Sequence, residues 1–179
     1  VIPVLINRSD EFSGNARVRF TNQPHREWIY RQSFQMGRHI IGYEVLKVQA
    51  LINWFDAENT KIPNPPPIAL AGYSEGGLIA LYTAALDSRV QATLVSGYFD
   101  ERKGVWEEPI YRNVFGLLGN FSDDELASLI HPRALVVEHA VPPQIDGPPK
   151  PRNGRGGAAP GRIRTPNDAS VQREFNRAM

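Results

Sequence analysis

Pro67-Ile68-Ala69-Leu70-Ala71-Gly72-Tyr73-Ser74-Glu75-Gly76-Gly77-Leu78 is the stretch on which the fold turns. Residues 67–71 form an apolar run of strand length. Residues 78–86 form a longer apolar run without Gly or Pro, which suits a buried helix. Between them stands G-x-S-x-G. Strand, sharp turn and helix in that order are the context in which this pattern lifts a serine hydroxyl to the top of a sheet. The pattern predicts a strained backbone at Ser74 and close packing around it, which makes Gly72 and Gly76 the expected structural turn residues.

Working outward, Val1 to Ile6 reads as a buried strand, apolar and rich in β-branched residues. Asn7 to Asn22 is polar, contains Ser13-Gly14-Asn15, and reads as a loop. After Pro24 a helix is expected over 26–41, with Trp28, Met36 and Ile40 on its apolar face and a break at Gly42. A second helix follows over 43–57, where Val48, Leu51, Ile52 and Phe55 fall at i, i+3, i+4 and i+7. Beyond the central helix, residues 92–96 read as a strand. Ser122-Asp123-Asp124-Glu125 is a capping box that opens a helix over 123–130, and residues 134–138 are a further strand. Residues 142–166 hold seven Pro and five Gly in twenty-five positions, so they are expected to form no regular strand or helix. Residues 169–179 suit a terminal helix.

Strands thus alternate with helices, and each strand is near-continuously apolar, as when both faces of a sheet are covered. The expectation is an α/β fold, a doubly wound, mostly parallel sheet with right-handed crossovers. Three parts are expected: a central α/β unit over 1–141, a Pro/Gly-rich loop over 142–167, and a terminal helix of the same domain over 168–179. In such sheets the reactive site lies at the carboxyl ends of the strands. Ser74, Asp100 and Glu138 stand at or near three such ends.

The 179 residues are enough for one domain with a sizeable core. A net charge of +1 leaves no global field to draw nucleic acid or an acidic membrane surface, so neither is expected as a partner. Residues 150–179 carry seven Lys/Arg and two Asp/Glu, +5 in all, leaving −4 for the remainder; a solvated segment accounts for this. With no cysteine, disulfides and thiolate catalysis are excluded. No apolar run reaches the length of a membrane span. His25-Arg26-Glu27 and His39 lack a metal-ligand spacing, so no metal is expected. Gly154-Arg155-Gly156-Gly157 lacks the flanking strand and helix of a phosphate loop, and no cofactor is expected.

The Gly72–Gly77 motif in its strand–turn–helix setting, with the strands after it, resembles the α/β-hydrolase superfamily. Pro132-Arg133-Ala134-Leu135-Val136-Val137-Glu138 is similar to the strand before the acid residue in acetyl xylan esterases and dienelactone-hydrolase-like proteins. The resemblance covers roughly residues 65–140. It implies a nucleophile at Ser74, activated by an imidazole, with the backbone N–H of Glu75 as one oxyanion donor. It also implies an acid after a later strand: Glu138 first, then Asp146 or Asp100. The superfamily places several strands before the nucleophile and a catalytic His after the acid. Here one strand is expected before Ser74 and no His follows His139, so the chain reads as a fragment of such a domain.

The four histidines, His25, His39, His131 and His139, are each expected to be structural; His139 adjoins Glu138, but neighbouring strand residues face opposite ways. Tyr98-Phe99 and Trp106 are expected in core packing or loop anchoring. Three functional readings follow: a serine ester hydrolase acting on a small-molecule or carbohydrate ester through Ser74, a serine peptidase similar to prolyl oligopeptidases, or an inert truncated domain. On this reading the parent protein is active and the 179-residue chain nearly inactive for want of a base.

Overall fold

Three strands pair in parallel: β1 (Ile68–Tyr73), β2 (Val90–Ser96) and β3 (Ala134–Glu138), in that spatial order. The register aligns Leu70 with Thr93 and Thr93 with Leu135, and aligns Tyr73 with Ser96 and Ser96 with Glu138. The computed structural model describes residues 1–11, 16–17, 19–148, 150–151 and 156–179. Ser13-Gly14-Asn15, within the expected polar loop, and Gly154-Arg155 lie outside the described residues.

Helices α1 (His25–Gln35), α2 (Ile40–Asn59), α3 (Glu75–Leu86), α4 (Asp123–Ser128) and α5 (Asp168–Ala178) complete the fold with two 3-10 turns, Val105–Glu107 and Ile110–Arg112. Helix α3 packs on β1 and β2; α2 and α4 pack against α3, and α5 against α4. Leu78, Leu81, Ala84, Ile52, Ile40 and Val95 form the middle of the core, each less than 2% exposed.

The sheet is covered on one face, which corrects the doubly wound expectation. The parallel strands follow one another in sequential order; a doubly wound sheet needs a reversal of order, and none occurs among the described strands. Exposure alternates accordingly. Ile68 and Leu70 turn toward the helices, whereas Ala69, Ala71 and Tyr73 on β1 and Val136 on β3 are exposed. An apolar run cannot report whether its second face has a cover.

The strand expected over Val1–Ile6 does not form. Val1, Ile2 and Val4 are more than 80% exposed, while Leu5 and Ile6 pack against the core. The segment lies against α2 instead of in the sheet: the Ile6 amide donates to Glu44 (3.0 Å), and Lys47 and Arg26 donate to the carbonyls of Val4 and Ile6. An apolar β-branched run becomes a strand only beside a partner strand, and no described strand pairs with it.

The helix break also moves. The chain turns at Gly37, whose φ is +67°, and Gly42 lies inside α2. His39 caps α2, its Nδ1 accepting from the Ile41 amide. The buried side of α1 is Arg26, Glu27, Tyr30 and Ser33, while Trp28 and Met36 are exposed. That inversion is the mark of a buried ionic network. The capping box at Ser122 forms, the Ser122 amide donating to Glu125 at 2.7 Å, and α4 ends at Ser128.

The Pro/Gly-rich stretch contains a short antiparallel pair, β4 (Ile145–Gly147) with β5 (Gly161–Ile163), so the expectation of no strand there is corrected. Ile163, 1% exposed, anchors the pair in the interior. Tyr98 and Phe99 are core residues as expected; Trp106 is 75% exposed and packs in no core.

Candidate functional site

Ser74 stands between the end of β1 and the start of α3 with φ 53° and ψ −114°, a conformation that is sterically poor for a residue with a Cβ. Its amide donates to the Ser96 carbonyl (2.9 Å) and its carbonyl accepts from the Leu78 amide (3.1 Å), so the turn is tied to β2 on one side and the helix on the other. A Cβ on Gly72 would overlap the Gly76 carbonyl, and one on Gly77 would meet the Ser96 carbonyl at 3.0 Å. A Cβ on Gly76 would meet nothing within 4 Å. The side-chain-free positions that this turn demands are therefore Gly72 and Gly77, not Gly76. The part of Gly76 that crowds the turn is its backbone.

The Ser74 hydroxyl is buried and has no hydrogen-bond partner. None of the four histidines reaches it by a hydrogen bond. His39 uses both ring nitrogens, Nδ1 as the cap and Nε2 donating to the Asn113 carbonyl at 3.1 Å. Burial holds its pKa below the usual imidazole range, so the cap is neutral. His25 Nδ1 lies 2.9 Å from Asn7 Oδ1. His139 donates from Nε2 to the Pro166 carbonyl (2.8 Å), with Nδ1 3.8 Å from Asp168. His131 is exposed.

The candidate acids are separately engaged. Glu138 accepts from the Ser96 hydroxyl at 2.5 Å; it ends β3, two strands over from the β1 end that carries Ser74, at the same end of the sheet. Asp146, on β4, pairs with Arg164. Asp100 accepts from the Ser170 hydroxyl and the Glu101 amide.

Glu75 is the first residue of α3, and its side chain is the centre of a network that the local sequence did not reveal. Its Oε1 accepts from Arg112 Nε (2.6 Å) and Arg8 Nη2 (2.9 Å), and its Oε2 from Arg26 Nη2 (3.3 Å). Arg26, 1% exposed, also makes a two-pronged bond to Glu44 at 2.8 and 2.9 Å. Burial works to raise the Glu75 pKa; the guanidiniums of Arg112, Arg26 and Arg8 outweigh it and hold the carboxyl below its ordinary value. The partners come from positions 8, 26 and 112, so no local spacing could have disclosed them. Among the described residues no group of three or more His, Cys, Asp or Glu is placed to hold a metal ion.

A separate buried carboxyl is Asp123, which accepts from the Asp100 amide (3.1 Å) and lies 3.3 Å from Arg102 Nε. Burial pushes its pKa up to about 7 despite the guanidinium. The unfolded carboxyl ionises near 3.8. Between those values the folded state binds one more proton than the unfolded one, so stability falls as pH rises through that window, by up to about 1.4 kcal/mol per pH unit. Urea unfolding at pH 5 and pH 7 is expected to show this loss in the native protein and to lack it in Asp123→Asn. Equal pH dependence in the two proteins would remove Asp123 as its source.

The fold is thus a parallel α/β sheet with a strained strand-to-helix turn at its carboxyl edge. Among solved structures it resembles a candidate acetyl xylan esterase from Bacteroides fragilis, with a TM-score of 0.52 and 18% identity. The match covers 64% of this chain and 32% of that one, so the chain spans about a third of its neighbour's length. At that identity the likeness establishes a shared fold. No protein-family model matches the chain, and no curated protein does.

Proposed function

We propose that the chain carries the nucleophile turn of a serine hydrolase, with Ser74 attacking a carboxylic ester of a small molecule or carbohydrate. The observation that carries this reading is the backbone of Ser74, a non-glycine residue held at positive φ between a parallel strand and a helix. Such strain is maintained where function needs the side chain projected. The fold shared with a candidate acetyl xylan esterase makes ester hydrolysis the first substrate class to test.

In the proposed reaction Ser74 Oγ adds to the acyl carbon, its proton passing to a base, and the alcohol departs with a proton to leave an acyl-serine. Water then reverses the sequence. The Glu75 N–H, at the positive end of α3, is one donor to the developing oxyanion. Glu138 is the first choice of acid, already oriented by Ser96. The base is the missing part, since the Ser74 hydroxyl has no hydrogen-bond partner. That same observation favours a second reading, a hydrolase-like domain without catalysis of its own. A peptidase of the prolyl-oligopeptidase type keeps the same residues and changes the acyl substrate.

A fluorophosphonate probe followed by peptide mass analysis tests the proposal. Slow modification at Ser74, absent in Ser74→Ala and accelerated by added imidazole, is the expected result; a missing general base typically costs several powers of ten. A panel of short acyl esters and prolyl amides, run with added imidazole, should show turnover of the esters. No modification of Ser74 under any of these conditions would leave the non-catalytic reading standing.

A further inference from the structure

Helix α5 packs on α4, and carboxyl groups stand at the contact. Glu174 on α5 is fully buried; Asp124 and Asp123 on α4 are 6% and 1% exposed. The Asp124 amide donates to Glu174 Oε1 at 3.3 Å, and the two carboxyl groups hydrogen-bond to each other. Arg177 reaches both, 3.0 Å to Glu174 Oε2 and 3.2 Å to Asp124 Oδ2. The Ser122 hydroxyl donates to Asp124. Asp123 feels the charge of Glu174, but its own cation is Arg102, which it shares with Glu108. The other nearby charges turn elsewhere: Glu125 accepts from the Ser122 amide, and Arg173 pairs with Glu101.

Ionised carboxylates only accept, so two of them bond to each other only when one holds a proton. Arg177 supplies one positive charge to the two. Burial, with the Asp124 carboxylate beside it, holds the Glu174 carboxyl above its ordinary value. Burial works in the same direction on Asp124, but the hydrogen bonds from Ser122 and Glu174 outweigh it and hold that carboxyl low. The proton therefore sits on Glu174 and is donated to Asp124.

We propose that the proton held between Glu174 and Asp124 latches α5 to α4, and that α5 comes away by itself when that proton is lost. The latch bears on the carboxyl edge of the sheet. Asp100, after β2, accepts from the Ser170 hydroxyl of α5. His139, after β3, donates to the Pro166 carbonyl just ahead of α5 and lies 3.8 Å from Asp168. Release of α5 lets go of both, at the edge that carries Ser74. The latch stands whether or not Ser74 is a nucleophile. Its sign follows from the raised folded value of Glu174: the contribution is whole below the unfolded value near 4.5 and is lost as pH rises through the folded one.

Hydrogen exchange of the whole chain from pH 5 to pH 8 tests the latch, read as protection factors for peptides of α5 and of α3. Peptides of α5 are expected to be less protected than those of α3 and to lose up to about tenfold in protection per pH unit, the slope of a one-proton step. In Glu174→Gln the amide donates to Asp124 with no proton to lose, so α5 protection should stay flat with pH. Asp123→Asn should keep the native slope in α5. Arg177→Gln removes the cation that favours the ionised pair, so the loss should begin at higher pH. That side chain is exposed, so the variant still decides where Glu174→Gln fails to fold. Equal protection of α5 and α3 at every pH overturns the latch. So does an α5 slope that persists in Glu174→Gln or vanishes in Asp123→Asn, or an onset that Arg177→Gln leaves in place.

Discussion

Replacing Glu75 with alanine is expected to destabilise the protein by about 3–5 kcal/mol, the loss typical when one partner of a buried ion pair is removed. The three arginines do not suffer equally. Arg26 keeps Glu44, and Arg8 keeps the Tyr111 hydroxyl at 3.0 Å. Arg112 loses its 2.6 Å acceptor and is left with Glu108 at 3.3 Å, in a site where its side chain is 4% exposed. The cost is therefore that of a buried guanidinium stripped of its main counter-charge. High salt should not abolish the difference, because ions screen buried pairs poorly.

The same carboxylate shapes the acid limb of stability. The folded-state pKa of Glu75 is depressed, so its contribution is present above the unfolded value near 4.5 and fades as pH falls through the folded one. Denaturant unfolding of the native protein and Glu75→Gln at pH 7 and at pH 3 should therefore show a gap that narrows in acid. A gap that stays constant would mean that packing, not charge, is what the side chain provides.

How much of this was visible in the sequence depends on the range of the interaction. The turn at Ser74 was legible because its requirements are local: an apolar strand, glycine at 72 and a helix-forming run within twenty residues. Strand β3 and the capping box at Ser122 were legible for the same reason. The role of Glu75 was not. Its side-chain partners are drawn from positions 8, 26 and 112, far outside any local window. The α1 face was misread because buried charge imitates an exposed surface in a hydropathy pattern. The N-terminal apolar run was misread because strand formation needs a neighbour that hydropathy cannot display. The family resemblance could name Glu138, Asp146 and Asp100 as candidate acids but could not tell that each is tied to a different partner.

Gly72→Ala should be the most damaging single methyl that can be added near the turn. The new Cβ would lie 2.0 Å from the Gly76 carbonyl oxygen, far inside van der Waals contact, with Gly76 C at 2.2 Å and Gly77 N at 2.6 Å. All three are backbone atoms at the first turn of α3, so no side-chain rotation relieves the overlap. The strand cannot retreat, because Gly72 pairs with Val95 and Tyr73 with Ser96. The helix cannot retreat either, since Leu78, Leu81 and Ala84 are fully buried beneath it. Overpacking normally costs about 1–3 kcal/mol where neighbours can yield; here a cost above about 3 kcal/mol is expected, a large share of a single domain's stability. Gly76→Ala is the matched comparison. Its Cβ meets open space in a helical residue, where alanine is the better helix former, so it should leave stability unchanged or raise it by up to about 1 kcal/mol. Urea midpoints of the two variants measured side by side would decide: equal losses in both would mean that the turn is not closed by the Gly72–Gly76 backbone approach, and the steric account of the Ser74 conformation would fall with it.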